Sequence, residues 1–369
     1  MAEKIRIGVL FGGRSGEHEV SLMSARSVLD TLDPDKYQVT KIGISKEGDW
    51  LVGEQVLDYL LAGEEVELAP AAVLPIPSRP AVYKIDEMNG PGQLQQIAEL
   101  DLIFPVLHGS FGEDGTMQGL FELMDLAYVG AGVLGSSVGM DKALFKQVMI
   151  ANQIPVVPSI LVLRSDLIHM DRVLERLEEF NQYPVFVKPA NMGSSVGVHR
   201  CNDIEEVAEG LIDAARYDRR VLVEKGINAR EIELSVLGNE RPRVSIPGEI
   251  RPTAEFYSYE AKYHDQSSEL LIPAPLDQNL VEELQETALR AYRAIDCAGM
   301  ARVDFLLDRD DNHFYLNELN TIPGFTPISM YPKLWEASGL SYQELIDQLV
   351  ELALERKQQK DQTLWKYEV

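Results

Sequence analysis

Basic residues, cysteines and long apolar runs are all scarce in this chain, and each shortage excludes something. The 369 residues contain 34 lysines and arginines against 59 aspartates and glutamates, a net charge of −25. This charge opposes non-specific binding to nucleic acid or to anionic membranes. The only two cysteines, Cys201 and Cys297, form no metal-binding spacing, so we expect reduced thiols and a cytoplasmic location. No run reaches the roughly 18 apolar residues of a membrane helix, and the first residues lack a signal peptide's apolar core.

Two common nucleotide-binding motifs are also missing. No Gly-Lys pair precedes a serine or threonine, so the chain has no Walker A loop. The glycines after the first predicted strand lack the GxGxxG spacing of dinucleotide-binding folds. A nicotinamide dehydrogenase, which the opening strand and helix would allow, therefore fails on that spacing. Any anionic ligand must be held by a local cluster of cations and amides.

The first part of the chain predicts an α/β domain, and the length predicts two or three domains in all. β-branched runs alternate with segments of helical spacing, a pattern typical of a parallel sheet. These segments are Ile5–Phe11, Glu19–Leu32, Tyr37–Ile44, Leu102–Leu107 and Gly115–Leu126. Between Leu51 and Leu100 the pattern loosens, and four prolines in Leu68–Pro80 indicate irregular surface chain.

The rest of the chain predicts a mixture of helices and strands, with a loop at Pro247–Pro252 and a solvated end from Glu355 to Val369. The predicted helices are Met140–Ala151, Leu167–Asn181, Ile204–Arg216, Asn279–Ile295 and Tyr342–Lys357. The predicted strands are Pro184–Lys188, Val221–Glu224, Ile232–Leu237, Met300–Leu307 and His313–Leu319.

The last two of these strands should form a hairpin with a charged face. If its turn centres on Asp311, Asp304 lies opposite Glu318 and Arg302 lies opposite Asn320. All four side chains then share one face, because side chains alternate along a strand. Two opposed carboxylates are destabilising unless a cation lies between them, and carboxylate and amide oxygens suit Mg²⁺. The alternative is a solvated polar face on which Arg302 neutralises an acid.

A lysine followed by a glycine-rich loop forms a second candidate site. Lys188 ends a predicted buried strand and is followed by Gly193, Ser194, Ser195 and Gly197. Such a loop can bring backbone N–H groups close to phosphate oxygens, with the lysine as a point charge. The alternative is a plain turn beside a solvated lysine.

Two further glycine-rich segments follow predicted strands, at Gly12–Glu19 and His108–Gly115. The first lies where open α/β sheets bind ligands, beyond the carboxyl end of a strand. Its Glu17 or Glu19 could receive a substrate ammonium group, or could simply belong to a charged first helical turn. In the second, Asp114 is a credible helix cap, whereas capping does not explain His108.

Together these segments resemble the D-alanine–D-alanine ligases of the ATP-grasp superfamily. His108-Gly-x-x-Gly-Glu-Asp-Gly-x-Met-Gln-Gly119 matches one family signature. Arg302-Val-Asp, followed by Glu318-Leu-Asn-Thr-x-Pro-Gly324, matches the other. The resemblance implies a Rossmann-like domain over residues 1–135 and a two-lobed ATP-grasp domain, 136–227 and 228–369, with ATP between two antiparallel sheets. It further implies ligation of two D-alanines through an acylphosphate for peptidoglycan synthesis.

The resemblance also implies roles for individual residues. Asp304, Glu318 and Asn320 correspond to ligands of two Mg²⁺, for which Mn²⁺ can substitute. The nucleotide-binding residues would be Lys142, Lys188, Ser195, Glu224, Lys225, Ile227, Glu231, Lys262 and Asn317. Glu17 would hold the first D-alanine's ammonium and form a hydrogen-bonded triad with Ser194 and Tyr263. Arg302 and the Gly324 amide would stabilise the oxyanion, and Ser329 and Met330 would bind the second D-alanine near His108.

Two alternatives to this function stay open from the sequence. The first is a D-alanine–D-lactate ligase or another ATP-grasp carboxylate–amine ligase, although Tyr263 favours an amine acceptor. The second is a nucleotide-binding regulatory protein without turnover, which the presence of Arg302 and the metal carboxylates disfavours. The partners expected are small substrates and, by resemblance, a second copy of the chain.

Overall fold

Three sheets organise the molecule. The computed structural model describes residues 3–63, 68–77, 79–86, 92–180, 182–251 and 269–364. The first sheet is built before residue 130, and the other two follow it along the chain. Among the described residues, no helix is long and apolar enough to cross a membrane.

The first sheet combines a parallel core with an antiparallel extension. Its strands are β1 (Ile5–Gly12), β2 (Tyr37–Ile44), β3 (Trp50–Val52), β4 (Ala69–Val73), β5 (Ala81–Asp86), β6 (Gln93–Glu99), β7 (Leu102–Val106) and β8 (Ala127–Tyr128). Their order is β6-β5-β4-β3-β2-β1-β7-β8. Strands β2, β1, β7 and β8 run parallel, whereas β3 to β6 join antiparallel. The parallel sheet predicted from the first segments is confirmed.

The segment between Leu51 and Leu100 is more regular than predicted. It supplies strands β3 to β6, so the expectation of irregular chain across Leu68–Pro80 is wrong at β4. Pro70 is tolerated because it pairs with Leu51 of β3, whereas the β5 pairing starts only at the next residue. A proline in such a place removes no ladder bond to a second neighbour.

Helices cover this sheet and frame the later lobes. They are α1 (His18–Thr31), α2 (Val56–Ala62), α3 (Thr116–Leu123), α4 (Val133–Met140), α5 (Lys142–Ala151), α6 (Met170–Leu177), α7 (Ile204–Tyr217), α8 (Gln278–Ala294), α9 (Met330–Ala337) and α10 (Tyr342–Lys360). The helix predicted over Met140–Ala151 is broken at Asp141, which is extended and caps α5 by accepting from the Leu144 amide. The helix predicted over Leu167–Asn181 is shorter, because 3₁₀ turns flank α6.

Two antiparallel sheets form the rest of the scaffold. The second sheet has the order β11-β10-β12-β9. Its strands are β9 (Ser159–Leu163), β10 (Val185–Pro189), β11 (His199–Cys201) and β12 (Arg220–Lys225). The third sheet has the order β16-β15-β13-β17-β18, with β14 beside β13. Its strands are β13 (Ala229–Leu237), β14 (Arg243–Val244), β15 (Gly248–Arg251), β16 (Glu269–Leu271), β17 (Met300–Asp308) and β18 (Phe314–Asn320). Strand β15 corrects the loop predicted at Pro247–Pro252.

The ends of the chain share one hydrophobic core. Leu345, Ile346 and Leu349 of α10 are buried in the same cluster as Val9 and Phe104 of the first sheet. Nearby, Arg356 stacks over the Tyr128 ring at 4.2 Å. The first domain is therefore completed by the last helix that the structure describes.

Candidate active site

The hairpin of β17 and β18 places its acids as predicted. Asp304 pairs with Glu318, and Arg302 pairs with Asn320. Beyond Asp304 the register shifts, so that Phe305 pairs with Leu316 and Asn317 forms a bulge.

The bulge changes which side chains face the site. Leu316 and Leu319 are both buried although they lie three residues apart. Strict alternation would bury residues two apart, so the extra residue puts Asn317 and Glu318 together on the less buried face. The buried face of β17 includes Val303, Phe305 and Leu307.

Arg302 lies between two acids. Its Nε and Nη2 donate to the two oxygens of Asp304 at 2.8 and 2.6 Å. Its Nε also lies 3.1 Å from Oε2 of Glu233, a residue of β13 that pairs with Asp304. Burial opposes the charge, but Asp304, Glu233 and Glu318 outweigh it and raise the pKa of Arg302. The neutralising arginine considered from the sequence is therefore present.

The side chains on this hairpin face offer oxygen ligands that suit Mg²⁺, although Arg302 already binds one of the carboxylates, Asp304. Glu318 lies opposite Asp304, and the Asn320 amide donates to Asp304 at 3.1 Å. Two carboxylates and amide oxygens suit a hard cation. Among the described residues, no three His, Cys, Asp or Glu side chains are grouped in a metal-binding set, so the acids alone are too few. Arg302 must also share Asp304 with any ion bound there.

The second sheet and helix α5 together carry a cluster of opposite sign, which we call the lysine cluster: Lys188 of β10, Glu224 of β12 and Lys146 of α5. Lys188 donates to Oε2 of Glu224 at 2.6 Å, and Lys146 lies 3.0 Å from Oε1. Glu224 is 3 % exposed. Burial alone would raise its pKa, but the two lysines lower the pKa of Glu224 to about 2. The acid is thus ionised at any physiological pH.

Charges of the third sheet act on Lys188 of the second sheet. Burial lowers its pKa and Glu224 raises it, with further raising contributions from Glu318 and Glu231 of the third sheet, so the pKa of Lys188 is raised overall. The charges of both sheets therefore act on one ammonium group.

The glycine-rich loop after β10 is joined to helix α5. Lys142, the first residue of α5, donates to the Met192 carbonyl at 2.6 Å. Ser194 and Ser195 both have positive φ, 49° and 59°. The Val196 amide donates to the Gly193 carbonyl at 3.2 Å, so the two serines form the middle of a tight turn. Backbone N–H groups in such turns can form an anion-binding concavity.

Glu17 links the first sheet to this loop. It directly precedes α1, beyond the carboxyl end of β1, and it accepts a hydrogen bond from the Ser194 hydroxyl. A Cβ at either Gly109 or Gly193 would lie 2.5 Å from Oε2 of Glu17. Glycine is therefore needed at both positions for the carboxylate to lie between the two loops.

His108 and Glu113 join the first domain to the third sheet. The His108 ring lies 3.0 Å from the Ile322 carbonyl, and burial lowers its pKa, so the ring is neutral. Glu113 accepts from the Gly109 and Ile322 amides at 2.6 and 3.3 Å. Burial, and after it the charges of Glu17 and Glu318, raise the pKa of Glu113 to about 8.

The remaining predicted residues are spread around the same region. Lys225 ends β12, Ile227 lies in the connection to β13, and Glu231 lies in β13. Ser329 accepts from the Thr326 amide at 3.0 Å, in the turn that follows Gly324. Met330 is 4 % exposed and packs in the core with Ile250 and Leu334. Lys262 and Tyr263 lie outside the described residues.

Sequence reasoning missed three charged members of this region: Lys146, Glu113 and Glu233. Lys146 follows Lys142 by one helical turn, a spacing that places both on one face of α5. Glu113 lies within the quoted His108 signature, and Glu233 lies two residues after Glu231 on the same strand face. These spacings were readable, but the partners that make the residues notable come from distant segments.

Comparisons with known proteins agree over the whole chain. Residues 6–131 match the family model described as D-ala D-ala ligase N-terminus, and residues 148–351 match that of the C-terminus. The D-alanine–D-alanine ligase of Natranaerobius thermophilus is 48 % identical over 361 residues, which cover 97 % of each chain. That of a Thermoanaerobacter species is 50 % identical over 361 residues, 97 % of this chain and 99 % of the other.

Solved structures show the same likeness. The D-alanine–D-alanine ligase from Coxiella burnetii superposes with a TM-score of 0.82 at 38 % identity, over 98 % of this chain and 97 % of that one. The VanG D-Ala:D-Ser ligase from Enterococcus faecalis gives a TM-score of 0.83 at 34 % identity, over 95 % and 100 %. The chain therefore belongs to the D-alanine–D-alanine ligase family.

Proposed function

We propose that this chain ligates two D-alanines to D-alanyl-D-alanine, with cleavage of ATP to ADP and phosphate, in the cytoplasm. The observation that carries the proposal is that charged side chains of the first domain, the second sheet and the third sheet act on one another. The charge of Glu318 acts on both Lys188 and Glu113, while Glu17 contacts Ser194. A polyphosphate needs the lysines, and an amino acid's ammonium group needs Glu17.

The first step is phosphoryl transfer. The first D-alanine's carboxylate oxygen bonds to the γ-phosphorus while the bond from that phosphorus to the ADP oxygen breaks, leaving an acylphosphate. In this proposal Lys142 and Lys188 would offset charge on the phosphates, and the further nucleotide contacts would be Ser195, Lys225, Ile227, Glu231, Asn317 and Lys262. Bound at Asp304, Glu318 and Asn320, Mg²⁺ would neutralise phosphate charge.

The second step is attack by the other D-alanine. Its deprotonated amine bonds to the acyl carbon, and phosphate leaves with the electrons of the C–O bond. Asp304 holds Nε and Nη2 of Arg302, which fixes the guanidinium plane where we propose it stabilises the oxyanion together with the Gly324 amide. Ser329, in the turn with Thr326, would bind the incoming carboxylate. Tyr263 would close the site with Glu17 and Ser194.

Domain division and assembly are part of the same proposal. The first sheet ends at Tyr128, the second spans Ser159 to Lys225 and the third begins at Ala229. These limits support domains at 1–135, 136–227 and 228–369. We also propose a homodimer, which the family resemblance suggests and light scattering would test.

The test is Mg²⁺-dependent ADP release with D-alanine alone, L-alanine alone, and D-alanine with D-serine or D-lactate. We expect release with D-alanine alone and the dipeptide as product. Release only with D-serine or D-lactate present, with the mixed product, would reassign the acceptor. Absence of ADP under all conditions would overturn the proposal.

A further inference from the structure

Lys146 is buried at a position where charge is costly. It is 3 % exposed, its Nζ donates to the Val157 carbonyl at 3.1 Å, and Glu224 is its acidic partner. Burial lowers the pKa of Lys146. Lysine is rarely buried so completely without a partner, and methionine would fill the same space at no electrostatic cost. The amine is therefore present for its charge.

The two lysines of the lysine cluster differ in what they can reach. The Lys188 side chain is 17 % exposed and lies next to the end of β10, just before the glycine-rich loop, whereas Lys146 is enclosed. Each holds a different oxygen of Glu224. Only Lys188 can turn toward a polyphosphate, and in doing so it leaves Glu224 with a single counter-ion.

We propose that Lys146 is a positioning residue, the permanent counter-ion of Glu224 that allows Lys188 to exchange from Glu224 to the nucleotide phosphates. A buried carboxylate that loses its last partner is strongly destabilised. Without Lys146, Lys188 stays bound to Glu224 and the phosphates lose a ligand. The inference rests on the proposed function, because it takes Lys188 as a phosphate ligand.

The first experiment measures nucleotide affinity without D-alanine, by calorimetry with ATP, and inhibition by adenosine in turnover. Lys146→Met should weaken ATP binding about 30-fold, since removing one partner of a buried charge pair commonly costs that much affinity. Adenosine, which carries no phosphate to draw Lys188 away, should inhibit within 2-fold of its wild-type constant. Lys360→Met, which removes a lysine paired with Glu122 outside the site, is the matched control and should leave both constants unchanged.

A second comparison distinguishes this role from a merely structural one. In the Glu224→Gln background, adding Lys146→Met should weaken ATP binding less than 3-fold, because Lys188 is then no longer tied to an anion. If Lys146→Met alone does not fold, these two variants still test the inference. The double variant Lys146→Met/Glu224→Gln is expected to have a melting temperature close to that of Glu224→Gln.

Three results would overturn the inference: unchanged ATP affinity in folded Lys146→Met, an equal loss of adenosine and ATP, or a full 30-fold loss in the Glu224→Gln background. Failure of the proposed function would look different, since wild type would bind ATP but release no ADP with D-alanine.

Discussion

Glu224 and Glu113 are the same residue type in opposite electrostatic states. Glu224 is the more deeply buried, at 3 % exposed, yet its pKa is about 2, whereas the pKa of the half-buried Glu113 is about 8. Burial raises the pKa in both. Two lysines contact Glu224, while the charges of Glu17 and Glu318 add to the effect of burial on Glu113. Because burial raises the pKa of both acids, the sign of the neighbouring charges decides the difference between them.

The same contrast separates two groups of charges, which we call the basic wall and the acidic wall. The basic wall is the lysine cluster, with two cations for one acid. The acidic wall lies on the third sheet, where Arg302 is the cation and Asp304, Glu233 and Glu318 are the acids. A nucleoside triphosphate with its metal ions complements both walls, because its phosphates bind the lysines of the basic wall and its metal ions bind the carboxylates of the acidic wall. The following predictions test that division, from the largest expected effect to the smallest.

Removing one charge from the acidic wall should have the largest effect. Glu318→Gln is expected to lower kcat at least about 1,000-fold, because it removes a metal ligand and transition-state charge stabilisation. Little stability should be lost, since the change also relieves the opposed carboxylates. Steady-state ADP release and thermal melting measure the two quantities. Near-normal turnover would exclude a metal site on this hairpin.

Replacing Arg302 of the acidic wall with lysine keeps the positive charge and tests the importance of the guanidinium geometry. Arg302→Lys should lower kcat about 100-fold, because lysine keeps the charge but loses the planar fork that Asp304 orients. The KM for ATP should change less than 3-fold, since the lysine cluster is untouched. If the KM for ATP changed as much as kcat, the acidic wall and the basic wall would not act independently.

Glu113 predicts a stability difference that depends on pH. Its pKa is raised to about 8 from 4.5, so the folded state holds a proton that the unfolded state releases. Wild-type stability therefore falls as pH rises from 4.5 toward 8 and levels off above. Glu113→Gln lacks this loss, so its free energy of unfolding relative to wild type should rise by about 3.5 kcal/mol from pH 5 to 8. Urea unfolding in Mg²⁺-free buffer measures it, and a difference independent of pH would contradict the raised pKa.

Glu233→Gln should produce the smallest effect. With Glu233 neutral, Arg302 loses one of the two acids it contacts and binds Asp304 more strongly, so Mg²⁺ competes less well for that carboxylate. We expect the Mg²⁺ concentration for half-maximal activity to rise about 3- to 5-fold, with kcat recovered at saturation. Glu249→Gln on β15, whose acid pairs with Arg230 instead, is the control. An unchanged Mg²⁺ requirement would show that Glu233 does not compete for Arg302.

Much of the architecture was predictable from local patterns. The pairing of Asp304 with Glu318 was predicted correctly, although the assumed turn centre at Asp311 was not, because Leu307 pairs with Phe314 and only the bulge at Asn317 restores the predicted register. The strand that carries Lys188 before a glycine-rich loop was also found. The prolines near residue 70 were misleading, because their tolerance depends on which neighbouring strand lies beside each of them. The break at Asp141 was missed, since the capping hydrogen bond distinguishes it from helix interior only in three dimensions.

By itself, the sequence determined the family, the charged hairpin face and the glycine-rich loops, because these rest on motifs and on periodicities spanning a few residues. The tertiary structure alone decided which charges meet. Lys146 finds Glu224 across 78 positions, and Glu17 finds Ser194 across 177. Protonation states and counter-ions depend on groups a few ångströms away in space, which may belong to any part of the chain, and only folding brings those groups together.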